Sequence, residues 1–118
     1  MDMRIIILAM LFSIPVAYSM GSLPRILAQG SAQITSPKDG ALIDGEKKNM
    51  LVYDFHPGPS GNHLVIDVDK EGPAVVREWR GSYRLPLLGR GKHEICVKEA
   101  NSSGISTGLQ KCISVNAR

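Results

Sequence analysis

The feature that most constrains this chain is its rhythm. Short runs alternate apolar and polar residues and end in glycine, proline, asparagine or aspartate, and no stretch carries the 3.6-residue period of a helix. In His63–Asp69, Leu64, Ile66 and Val68 point one way, while His63, Asp67 and Asp69 point the other. Only Val65 breaks the polar side. In Met50–Phe55, Leu51, Tyr53 and Phe55 share one face, opposite Val52 and Asp54. Further strands are predicted at Ile34–Ser36, Ala41–Ile43, Ala74–Trp79 and Ser82–Leu85, before a last pair around Asn101-Ser102-Ser103-Gly104. The turns fall at Pro37–Gly40, His56–Asn62, Glu71-Gly72-Pro73 and Leu87–Gly91. About seven short strands at this spacing predict an all-β, antiparallel sandwich or barrel.

The chain opens differently. Arg4 precedes an apolar run, Ile5–Val16, interrupted only by Ser13 and Pro15, and Ala17-Tyr18-Ser19 follows with small residues at the −3 and −1 positions of a cut after Ser19. This is the pattern of a secretory signal helix over residues 1–19, cut after Ser19. Ala28-Gln29-Gly30 offers a second cut, after Ala28 or Gly30. The run is shorter than the roughly 20 apolar residues that span a bilayer, so a retained anchor is the alternative and not the expectation. Residues 20–31 read as linker or leader remnant and 32–118 as the domain, expected in the periplasm or secreted, with no stable membrane span after signal cleavage.

The last pair of strands fixes a register. His93, Ile95 and Val97 line one face of the first strand, and Leu109, Ile113 and Val115 the inner face of its partner. With the hairpin centred near Gly104, position 96 falls opposite 112 and Ile95 opposite Ile113. The only two cysteines, Cys96 and Cys112, then meet on the outward face and are expected to form a disulfide worth roughly 3 kcal/mol. There is no Cys-x-x-Cys spacing and no helix terminus to lower a thiol pKa, so a structural staple is the reading and not a redox pair.

Charge narrows the function classes. From Ser31 onward twelve lysines and arginines stand against ten acidic residues, interspersed along the chain, which argues against nucleic acid as a partner. No serine stands in Gly-x-Ser-x-Gly, and no pair of carboxylates is spaced for acid/base work. Gly89-Arg90-Gly91 is a turn, not a phosphate cradle, since no helix follows it. No enzyme activity and no cofactor are expected.

Two constellations remain. His56 and His63 bracket the Pro/Gly loop, and His63 shares a strand face with Asp67, so these three could converge on copper or zinc as a periplasmic metal carrier would need. Arg77, Trp79, Arg80, Tyr83 and Arg84, with Arg90 nearby, form a basic and aromatic patch able to stack on sugars or clamp acidic polymers. The plainer reading puts Trp79 and Tyr83 in the core and leaves the arginines solvated.

The stretch Leu88-Gly89-Arg90-Gly91-Lys92-His93-Glu94-Ile95-Cys96-Val97, followed by Asn101–Gly104, resembles the signature L-x-x-G-x-H-x-I-x-V…G of bacterial immunoglobulin-like domains. Ile34–Ala41 is similar to the same family's first strand and turn. Val68-Asp69 matches the end of its middle strand, with Lys70 and Glu71 where that family carries glycine. The resemblance implies an immunoglobulin-like β-sandwich, with His93 as a corner residue bonded to backbone. It also implies an adhesion, spacer or accessory binding role toward a protein or polysaccharide outside the cytoplasm. It speaks to fold more than to function.

Overall fold

The computed structural model describes residues 30–118, so the expected signal and all but the last two residues of the expected linker lie outside the described residues. Eight strands follow one another: β1 (Ser31–Ser36), β2 (Ala41–Ile43), β3 (Met50–His56), β4 (His63–Val68), β5 (Glu71–Val76), β6 (Arg80–Arg84), β7 (Gly91–Ala100) and β8 (Ser106–Ala117). They form two sheets, β1-β3-β6 and β2-β8-β7-β4-β5. All pairings are antiparallel except that of β2 with β8. Among the described residues there is no helix, and none long and apolar enough to cross a membrane.

The two sheets meet because β3, β4, β7 and β8 each have one face carrying buried apolar residues. Leu51, Tyr53 and Phe55 of β3 are buried against Leu64 and Ile66 of β4, Ile95 and Val97 of β7, and Ile113 and Val115 of β8. Ile34, Leu85 and Leu88 close the ends. Each such side chain contributes roughly 1.5–3 kcal/mol on burial, so the alternation seen in the sequence is also the main source of stability.

The last hairpin has the expected register: Ile95 faces Ile113, and Cys96 faces Cys112. The two cysteines are joined in a disulfide, their Cα atoms 4.1 Å apart.

The middle of the chain differs from expectation. The turn lies at Asp69-Lys70 and not at Glu71-Gly72-Pro73, which belongs to β5. Val68 pairs with Glu71 across the two turn residues, both of which have positive φ (54° and 64°). That is the conformation a two-residue hairpin requires, and Asp-Lys does not announce it in sequence because neither residue is glycine. Pro73 is accommodated because β5 is an edge strand. The next strand is Arg80–Arg84, leaving Trp79 in the connection before it.

Candidate binding cleft

A cleft of about 620 Å³ opens at one end of the sandwich, between the end of β6, the segment Leu85–Gly89 and the β4–β5 hairpin. Ile66, Val68, Tyr83 and Leu85 give it apolar walls, and Leu87, 59% exposed, stands at its edge. Lys48 and Arg84 line it from the three-stranded side, and Glu71 from the hairpin. Among the described residues neither Lys48 nor Arg84 has a carboxylate within ion-pair distance.

His93 ties two walls of the cleft together. One ring nitrogen, Nδ1, lies 2.7 Å from Asp69 Oδ2 and the other, Nε2, 2.6 Å from the Gly89 carbonyl oxygen. Both partners can only accept, so both ring nitrogens must donate, which the imidazolium alone can do. The Asp69 hydrogen bond first, then that to Gly89, hold the His93 pKa above its ordinary value. His93 and the Glu94 amide in turn hold Asp69 below the usual carboxylate range. Asp69 also accepts from the Glu94 N–H at 2.8 Å, while its own N–H donates to the Glu94 carbonyl at 2.7 Å. The backbone bond expected of His93 is present, and the carboxylate partner is an addition to it.

The basic and aromatic patch is divided by the fold. Arg80 and Arg84 lie four residues apart on one strand, roughly 13 Å. Tyr83 and Arg84 belong to the cleft. At the other end, Arg80 Nε pairs with Asp54 at 2.9 Å, Arg77 donates to Asn62 at 3.2 Å, and Trp79 packs on the core.

His56, His63 and Asp67 are not brought together. His56 ends β3 in one sheet, with Arg80 3.4 Å from its Nε2, and His63 begins β4 in the other, bonded to Asn62. Asp67 is four residues further along β4, again roughly 13 Å away, and buried, with Oδ2 3.4 Å from Lys98 Nζ. Shared strand parity put His63 and Asp67 on one face but could not shorten that distance. Among the described residues, the one set of three potential ligand groups within 4.8 Å of each other is Glu94 with Cys96 and Cys112, whose sulfurs are already bonded together.

Glu99 escaped the sequence reading. It is 1% exposed, accepting from the Gly58 N–H at 3.0 Å and from the Thr107 hydroxyl at 2.6 Å, and so anchors the Pro57–Gly61 loop to the last hairpin. The signal was available, since Glu99 continues the inward series His93, Ile95, Val97. A second cavity of about 550 Å³ adjoins it.

No protein-family model matches this chain, and no curated protein matches it. Among solved structures it is similar to the fibronectin(III)-like modules of Clostridium thermocellum CbhA, with a TM-score of 0.58 at 17% identity over 74% of this chain and 95% of that one. At that identity the likeness establishes the fold: a two-sheet sandwich of the fibronectin-III and immunoglobulin-like kind.

Proposed function

We propose that this chain is an exported, non-enzymatic module that binds a protein or polysaccharide partner outside the cytoplasm, with the cleft beside β6 as the docking site. The observation that carries this reading is the cleft's composition. Apolar walls lie open beside two cations, Lys48 and Arg84, that no carboxylate of the described residues neutralises. The disulfide supports an oxidising compartment, in keeping with the signal pattern over residues 1–19. Against catalysis stands the cleft's one imidazole: His93 uses both ring nitrogens as donors and has no lone pair with which to take a proton.

The test uses processed protein, purified after export of the full chain and immobilised, as wild type and as Arg84→Glu. An envelope component held by wild type and lost by Arg84→Glu, but kept by Lys111→Glu on the remote β8, is the expected result. Equal retention by all three proteins rejects the cleft as the docking site.

A further inference from the structure

A partner seated in the cleft also meets the sheet edge beside it. Among the described residues four strands are edges: β1 and β6 in one sheet, β2 and β5 in the other. Three are blunted. Strand β1 loses register between Ile34 and Ser36, β2 has only three residues, and β5 carries Pro73 next to Gly72 at φ 56°. Strand β6 has neither proline nor a break in register, and its far end borders the cleft.

The hydrogen-bond parity of β6 follows from its partner. Phe55 N–H donates to the Trp79 carbonyl and Leu85 N–H to the Asn49 carbonyl, both at 2.8 Å. Hydrogen-bonded pairs recur every second residue in an antiparallel ladder, so Gly81 and Tyr83 also turn their backbone groups toward β3. The N–H and C=O groups of Arg80, Ser82 and Arg84 therefore point away from the sheet, along the open edge. On the same strand Gly81 and Tyr83 face inward, and a Cβ at Gly81 would meet nothing of the described residues within 4 Å but the Tyr53 hydroxyl, at 3.8 Å. The edge thus offers backbone partners beside an inner face with room for a side chain.

We infer that the partner is a protein that adds an extended segment to β6, with apolar side chains turned into the cleft and an acidic side chain on the outer face beside Arg84. This rests on the cleft being the docking site. A neighbouring strand places its outward residues directly across from Arg80, Ser82 and Arg84, where an opposite charge is favourable and a like charge is not. Arg80 already has Asp54, which leaves Arg84 as the cation to be met. The same rule disfavours a second copy of this chain, because antiparallel β6–β6 pairing about Ser82 sets Arg80 opposite Arg84. Backbone hydrogen bonds would supply affinity, and the alternating side chains selectivity.

The substitution that isolates this mechanism is Ser82→Pro. It removes one outward N–H and leaves the bonds to β3 intact, whereas Ser82→Ala removes only the side chain. Displayed random peptides of about a dozen residues would be selected on the processed full-length protein and their affinities measured for wild type and both variants. Selected peptides should alternate apolar with acidic or polar residues and slow amide exchange at Arg80, Ser82 and Arg84. They should bind Ser82→Pro about tenfold or more weakly, as expected for a lost interstrand hydrogen bond in a desolvated edge, and Ser82→Ala within about twofold. Peptides that bind Ser82→Pro as tightly as wild type, or leave the β6 amides exchanging freely, overturn strand addition. If Ser82→Pro does not fold, exchange at those three amides in the wild-type complex decides alone. An envelope component lost by Arg84→Glu yet kept by a folded Ser82→Pro would spare the cleft and reject strand addition; a polysaccharide bound through side chains would give that result. A component kept by both variants rejects both readings.

Discussion

At His93 the outcome is decided by what surrounds two nitrogen atoms. A carboxylate and a carbonyl, 2.7 and 2.6 Å away, make the charged ring the stable form. Its folded pKa lies above the ordinary 6.5, so its contribution to stability is complete below 6.5 and is lost as pH rises through the folded value. Asp69, held below 3.8, has the opposite sign: its contribution is complete above 3.8 and fades as pH falls through the lower folded value. The melting temperature should therefore hold between these limits and decline on the alkaline side, and His93→Gln should flatten that decline. With Asp69 43% exposed, the roughly 1.5–3 kcal/mol of a charged hydrogen bond is reduced by solvent, and His93→Gln should lose about 1 kcal/mol at pH 6. An identical alkaline decline in wild type and His93→Gln would show that the imidazolium carries no stability. The sequence showed His93 as an inward corner residue but not its acid partner, because residues 24 positions apart meet only once the sheet is assembled. Glu99 illustrates the reverse: its parity marked it as inward, yet two neutral donors, the Gly58 N–H of a distant loop and the Thr107 hydroxyl across the last hairpin, were needed to make a buried carboxylate tolerable. Gly61 has no room for a methyl group, which would run into the Glu99 carboxylate and the Trp79 ring. Denaturant melts of Gly61→Ala should show a loss of roughly 1–3 kcal/mol, as overpacking costs in a filled interior.

Elements defined by alternation were legible in the sequence, and those defined by turn geometry were not. Strands β3, β4 and β7 were expected near their observed positions because one face of each is marked in alternation, by three apolar residues in β3 and β4 and by Ile95 and Val97 after His93 in β7. The Cys96–Cys112 register followed from two such faces and one turn. The β4–β5 turn was misplaced because the Gly-Pro of β5 carries a stronger turn signature than Asp69-Lys70. Lys70 holds a left-handed conformation at φ 64° with no side-chain requirement visible there, so Lys70→Gly should raise stability by up to about 1 kcal/mol. A lower melting point would contradict the assigned turn. The disulfide closes a loop of separation 16, and replacing both cysteines with alanine should cost roughly 3 kcal/mol in denaturant unfolding while leaving the sheet register unchanged.

For the whole molecule, a sandwich built on a single core leaves its distinguishing chemistry to edges and ends. The cleft combines residues from β4, the β4–β5 hairpin, β6 and the segment before β7, so no contiguous stretch of sequence announces it. The basic and aromatic patch was visible as a cluster in sequence, but the fold sends Tyr83 and Arg84 to the cleft and Arg77 and Arg80 toward the opposite end. The measurement that bears most directly on a binding role is an amide chemical-shift map of the processed protein, labelled with nitrogen-15, titrated with the envelope component that wild type retains. Shifts concentrated at Lys48, β6 and Leu85–Gly89 are the predicted result. Shifts confined to the Glu99 end or to the disulfide face, with the cleft amides unmoved, would contradict it.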